Sequence, residues 1–298
     1  MPAAGLRWLV EAKPQALLEN PLTSRVIVGL TPHAGLDAFA TASGVDLRRV
    51  PSALIAAFDY GTLYMASLPT GTAADVRARF SERLVAGAID KEPYPGIRRI
   101  SGVIGQTPET LLTLDERTLA VAVGDPTPSR IVEAFARGRL KSSPTALRGS
   151  ALRDMPNFED APLVAFAPGP FPDDWQRAAN GLLGSALAVG AGIDPVAPAS
   201  LSITFILLGD FKDDPERATS ALAEAWQSLS HSSTGRLLGI DQGEPPRISA
   251  EQAGLRMVCV LPVEPLVHGL RAAVLTDVSE ILRLTPRAEH PGAPAPAP

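Results

Sequence analysis

Leu119-Ala120-Val121-Ala122-Val123-Gly124-Asp125 runs into Pro128-Ser129-Arg130, and eighty-odd positions later Ile203-Thr204-Phe205-Ile206-Leu207-Leu208-Gly209-Asp210 runs into Pro215-Glu216-Arg217. Each begins with a short apolar run rich in β-formers, closes on Gly-Asp, and opens a helix marked by proline at its start. Ile131 and Phe135 with Val132, Ala136 and Leu140 form the apolar face of the first helix; Ala218, Leu222, Ala225, Trp226 and Leu229 form that of the second. The strand-then-helix form recurs twice more. Leu63 to Pro69 precedes Val76, Phe80 and Leu84 at helical spacing, and Met257 to Leu261 precedes Leu266, Leu270, Val274, Val278 and Ile281. The pattern predicts an α+β protein of tandem strand-helix modules, with the front segment matched to the last and the two middle segments matched to each other, as in an internal duplication.

Between Gly105 and Val123 the strand-like runs are separated by short gaps, with Asp115-Glu116-Arg117 as a polar turn. Short gaps favour antiparallel hairpins, so the expected architecture is mainly antiparallel sheets with helices packed on one face. A doubly wound parallel sheet would need regular alternation of helix and strand, which the 97–123 stretch breaks. The expected division is a first α+β half over 1–140 with a helical segment at its front (1–53, turns at Pro21, Thr31-Pro32 and Ser43-Gly44). A turn-rich linker over 141–162, a second α+β half over 163–285 and an Ala/Pro tail over 286–298 follow. In the second half, Leu163 to Ala167 reads as a strand turning through Pro168-Gly169-Pro170. An Ala- and Gly-rich helix is expected from Trp175 to Gly192, with Gly181, Ser185, Ala188 and Gly192 on one face, where another backbone could approach closely.

The 298 residues are 45% hydrophobic and 20% charged, with a net charge of -5, so the chain can bury a core and is not of disordered type. Lys13, Lys91, Lys141 and Lys212 are the lysines, and the basic residues are interspersed with acids; the one-sign patch that nucleic acid demands is absent. Cys259 lies in an apolar run and has no cysteine to pair with. The first eight residues lack a cationic start followed by an apolar stretch, so no signal peptide is expected in them. The most apolar segment, 178–193, is shorter than the ~20 residues that cross a bilayer.

No Gly-x-Ser-x-Gly elbow presents a serine nucleophile. His231 stands beside Ser232 and Ser233 at the end of a helix pattern, where a histidine is favourable for the helix itself. His33, His231, His268 and His290 are too scattered for a metal site, and Asp210, Asp213, Asp214 and Glu216 lack the order of a calcium loop. No motif requires a cofactor. Asp125 and Asp210 each follow glycine at a strand end; both read as turn or cap residues, because a duplicated fold needs its turn twice. Two aromatic groups are the candidate binding residues: Tyr60 and Tyr64 around a turn, and Phe171 and Trp175 among prolines.

Ser43-Gly44-Val45-Asp46-Leu47-Arg48, Ala57-Phe58-Asp59-Tyr60-Gly61-Thr62-Leu63-Tyr64, the strand end at Ala122-Val123-Gly124-Asp125, and Ala165-Phe166-Ala167-Pro168-Gly169-Pro170-Phe171 resemble uncharacterised bacterial exported lipoproteins built on a domain of unknown function. The likeness spans most of residues 6 to 284. It implies tandem α+β modules in a cell-envelope or periplasmic protein of a kind normally preceded by a signal and a lipid-attachment cysteine, from which this sequence departs by showing neither, a cytoplasmic location being the alternative. The resemblance implies no catalytic residue. The expected function is non-enzymatic binding or scaffolding, with another envelope protein or a second copy of the chain as partner. The alternatives are an enzyme with a dispersed active site and a homo-oligomeric structural subunit.

Overall fold

The computed structural model describes residues 5–139, 158, 161–196 and 198–272. The expected linker, for all but its last residues, and the tail lie outside them, as do Leu140, Val274, Val278 and Ile281. The chain is α+β, built on one twelve-stranded sheet in which every neighbouring pair is antiparallel. In the first half β1 (Leu6–Ala12) leads through helices α1 (Pro14–Glu19), α2 (Pro21–Leu30) and α3 (His33–Ser43) to the hairpin β2 (Ser52–Phe58) and β3 (Gly61–Ser67). Helix α4 (Ala73–Arg83) then crosses to the meander β4 (Ala86–Tyr94), β5 (Ile97–Ile104), β6 (Thr107–Thr113) and β7 (Thr118–Gly124), followed by α5 (Thr127–Ala136). The second half runs β8 (Leu163–Pro168), α6 (Asp173–Ala178), β9 (Ala186–Val196), β10 (Ser200–Gly209), α7 (Pro215–His231), α8 (Ser233–Leu237), β11 (Arg247–Glu251) and β12 (Gly254–Pro262), after which 263–272 is helical. The strand order is β11-β12-β10-β9-β8-β1-β2-β3-β7-β6-β5-β4, so the halves meet where β1 pairs with β8, Leu9 opposite Phe166 and Val10 opposite Ala165.

The same sequence of events occurs in both halves. Three strands form a meander, a helix crosses over, and the last strand of the returning group pairs with the third: β7 with β3, β12 with β10. By this topology β3–α4 corresponds to β10–α7, and β7–α5 to β12 with its following helix. That crosses the matching drawn from sequence, which set β7–α5 against β10–α7.

The Ala/Gly-rich stretch from Trp175 to Gly192 is not one helix: α6 ends by Ala178, Asn180 and Gly181 take positive φ (51° and 80°), and Ala186 onward is strand β9. Burial there alternates, with Ala186, Ala188, Gly190 and Gly192 facing inward. Glycine suits that face because a Cβ on Gly192 would strike the Phe158 ring at 2.4 Å. The small residues therefore share a strand face under an aromatic ring, and Gly181 and Ser185 lie off it. At the front, the helical segment begins with β1 and ends in β2, although its turns fall where expected: Asn20 before Pro21 caps α2, and Gly44 (φ 77°) closes α3.

Helices cover both faces of the sheet, not one. On one face Phe80 and Val76 of α4 pack on Ile100, Leu111 and Leu119, and Leu222 and Ala218 of α7 pack on Leu207, Leu255 and Met257. On the other face Val132 of α5 packs on Leu112, Ala120 and Ala122. Both arrangements are possible because β7 is apolar on both sides, Leu119 and Val121 pointing one way and Ala120 and Ala122 the other. Leu9 joins this second face to Phe166, Ala188, Ile206 and Leu208. Glu133 of α5 is buried too; Arg99 of β5 reaches it at 3.3 Å and Arg137 at 3.9 Å, with the Arg137 guanidinium 3.1 Å above the Tyr94 ring.

Candidate functional site

The face that carries α4 and α7 is covered unevenly. Cross-strand register places Leu111, Val121, Tyr64, Ile55, Val10, Ala165, Ala191, Phe205 and Met257 in one row across the sheet. Leu111 lies under α4 and Met257 under α7. Between them Val121, Ile55, Val10, Ala165 and Ala191 are half-buried, and Tyr64 is 42% exposed. Trp8, in the neighbouring row opposite Ala57, is 40% exposed. It shares that face with Val10 by ordinary strand alternation; the irregularity between Leu6 and Trp8 instead turns Leu6, which pairs with Phe58, to the α5 face.

The four aromatic candidates separate. Tyr64 belongs to this open row. Tyr60 sits in the β2–β3 turn and packs with the α5-face cluster, stacked on Phe58 at 5.5 Å. Burial raises the Tyr60 pKa, with smaller contributions from Asp125 and Asp59. Phe171 is buried and stacks at 6.3 Å on Trp175, which is exposed at the start of α6. Trp8 and Ile55 escaped the sequence reading: alternation on β2 is masked by Ala56 and Ala57, and only register brings Trp8 beside Tyr64's row.

The two aspartates also differ. Asp125 Oδ1 accepts the Thr127 N–H at 2.7 Å, and the Thr127 side chain and backbone hold its carboxyl below the usual range. Among the described residues Asp210 Oδ1 receives only the Lys212 N–H at 3.4 Å; the α7 cap is Asp214, which accepts the Arg217 N–H at 3.0 Å. Asp210, Asp213, Asp214, Arg217, Asn180 and Ser185 line an open 280 Å³ depression backed by Leu182 and Phe211. Among the described residues no group of three His, Cys, Asp or Glu could hold a metal ion. Burial pushes the Cys259 thiol up to about 12, which keeps it protonated and unreactive. His231 Nδ1 lies 2.8 Å from the Gln227 carbonyl at the end of α7. Glu109, half-buried on β6 opposite Val123, has its pKa raised by burial, with Arg83 opposing. No described helix is long and apolar enough to cross a membrane.

No family model matches the chain, and no curated protein matches it. Its fold is similar to that of TP0453. Crystal form IV of TP0453 matches with a TM-score of 0.50 at 12% identity, over 90% of this chain and 94% of that one. Form III gives 0.48 at 13% identity, over 90% and 95%. At this identity the likeness to form IV concerns the fold alone.

Proposed function

We propose that this chain is a non-enzymatic binding or scaffolding protein of the bacterial cell envelope, and that it binds through the open middle of the helix-bearing face. The observation that carries the reading is the gap in cover: an apolar row that α4 and α7 bury at its ends is left half-open at Val121, Tyr64, Ile55, Val10, Ala165 and Ala191. A contiguous exposed apolar patch is costly in a monomer unless it meets a partner. The envelope location is supported by the lipoprotein-like motifs. The recurring order of elements supports an origin by duplication, with the halves divided in the 141–162 segment.

Anilinonaphthalene sulfonate, whose fluorescence rises on apolar surface, tests the binding face. The native protein is expected to bind it saturably, and Tyr64→Ser with Val10→Ser to lose most of the signal without loss of fold. Equal signal from the double variant would place the dye elsewhere and remove the reading's support. The enzyme reading has one observation in its favour: Glu109 combines burial with a raised pKa, as catalytic acids do. The self-association reading loses its original basis, since the small-residue stripe is a buried strand face.

A further inference from the structure

We infer that β11, one outer edge of the sheet, pairs with β11 of a second copy of this chain, so that two sheets join into one across a two-fold axis at Ser249. The pairing uses an edge and not the open face, and it does not rest on the binding reading above. The twelve strands leave two edges, β4 and β11. An unpaired edge is a template for another strand, and edges that must stay single carry devices that prevent pairing. β4 carries several. Its register with β5 shifts twice, Gly87 takes a φ of 67°, and Pro93 has no N–H to donate. β11 carries none of these: its five residues include no glycine or proline, its register with β12 is unbroken from Arg247 to Glu251, and four of the five are exposed.

The side chains of β11 select a copy of the same strand as the occupant. Arg247-Ile248-Ser249-Ala250-Glu251, laid antiparallel on itself about Ser249, sets Arg247 opposite the partner's Glu251, Ile248 opposite the partner's Ala250 and Ser249 opposite the partner's Ser249. Symmetry repeats each unlike contact, as in any isologous interface. Opposite charges facing each other across strands are favourable, and like charges are not. Among the described residues Arg247 has no ion pair, and Glu251 has one, with Arg256 at 3.6 Å. The pairing gives Arg247 a carboxylate and sets Glu251 between two guanidinium groups.

The faces agree as well. Ile248 lies opposite Met257 and Ala250 opposite Leu255, so both point to the α7 face, where Ile248 packs on the cluster beneath that helix. Pairing covers the exposed Ala250 with the partner's isoleucine and carries that cluster across the axis. Arg247, Ser249 and Glu251 point to the other face. Moving the axis by one residue breaks the match. Centred on Ile248, Arg247 meets serine and Ala250 meets Pro246; centred on Ala250, Glu251 meets serine and Ile248 meets Gln252 in the turn. Pro245 and Pro246 before β11 and the Gln252-Ala253 turn after it bound the pairing to these five residues, about 17 Å of strand. A surface this small gives a dimer that dissociates on dilution.

Sedimentation equilibrium of the intact protein over a range of concentrations is therefore expected to show monomer and dimer in exchange. Arg247→Glu sets carboxylate against carboxylate twice, and Glu251→Arg sets guanidinium against guanidinium twice, so each variant alone is expected to associate roughly tenfold more weakly. Mixed in equal amounts, the two variants again offer opposite charges at both ends of the pairing, and the dimer is expected to return. A role of either residue within its own chain would not be mended by mixing. Ser249→Cys supplies a second readout that leaves both charges in place. On the axis the two introduced thiols come from Cα atoms about 4.5 to 5.5 Å apart, within disulfide range, while Cys259 is buried with its thiol pushed up to about 12. Oxidised glutathione is expected to yield a covalent dimer of that variant, and adding Arg247→Glu to suppress it. Native protein that stays monomeric at every concentration, a dimer indifferent to both charge reversals, a mixture no more dimeric than its components, or introduced thiols that fail to cross-link would overturn the proposal.

Discussion

β7 with α5 and β10 with α7 begin from nearly the same wording, an apolar strand closing on Gly-Asp before a proline-marked helix, yet the helices land on opposite faces of the sheet. The strand face is not written in either segment, because β7 is apolar on both sides. What differs is the connection: Asp125 and Pro126 are all that separate β7 from α5, while Asp210 to Asp214 separate β10 from α7. The place in the topology differs as well, since α7 and α4 each cross over to a returning group of strands, and α5 follows the last strand of its half. Local sequence thus specifies the element and its turn, and the layout of the sheet decides which side the helix takes.

The largest expected effect tests the pairing of α4 with α7. Phe80 and Leu222 are buried anchors of the two crossover helices, so Phe80→Ala should cost about 3 to 5 kcal/mol and Leu222→Ala about 2 to 5. Because one sheet joins the halves through β1 and β8, both variants should shift a single unfolding transition in urea, followed by circular dichroism. Two separated transitions would show that the halves unfold independently, and the comparison would have to treat them as separate bodies.

α5 differs from the other two in what fastens it. Its Glu133 is buried against Arg99 of β5 and Arg137, with Arg137 on Tyr94, tying the helix to the β4–β5 hairpin by charge as well as packing. Glu133→Ala leaves two guanidinium groups without their acceptor, an expected loss of about 2 kcal/mol. Hydrogen exchange should show the loosening in β4, β5 and α5 before it appears in α7. Uniform acceleration over both halves would remove the distinction. A smaller difference lies at the helix starts. Asp214→Ala should lower stability by about 1 kcal/mol, the usual value of a cap, and Asp210→Ala by less, since its bond to the Lys212 N–H is long. Equal losses would restore the symmetric roles that the sequence suggests.

Much of the fold was legible where a strand and its helix carry clear and different periods. β3–α4, β7–α5, β10–α7 and the β6–β7 hairpin, whose turn Asp115 closes by accepting the Arg117 and Thr118 N–H groups, all lie where the pattern puts them. β9 was misread because Ala and Gly have no side chain large enough to show a period of two, and only the Phe158 ring packed on Gly192 explains the choice. β1 was hidden by the skipped residue before Trp8, which breaks alternation. The open row was illegible for a different reason. Its members come from six strands, far apart in the chain, and no local spacing records which residues face each other across a sheet.

The smallest effect concerns Asp125 itself and separates a charged turn from a neutral one. Its carboxylate accepts from the Thr127 side chain and from the Thr127 N–H, bonds that favour the ionised form and hold the folded pKa below the unfolded value of about 3.9. A proton therefore binds more readily to the unfolded chain. The stabilisation is fully present above the unfolded pKa and is lost as pH falls through the folded one. Asp125→Asn keeps a side-chain oxygen to accept the N–H but cannot ionise, so it should be slightly less stable than the native protein near neutrality. The gap should close as acid protonates the native carboxyl. Urea midpoints of both proteins at several pH values between about 6 and 3 measure it, and salt should change it little, because the cause is local hydrogen bonding more than the charge of Arg130. A gap of constant size across that range would mean that the turn needs the oxygen and not its charge. The Gly-Asp ending of β7 would then be a geometric device only, interchangeable with the weaker one after β10.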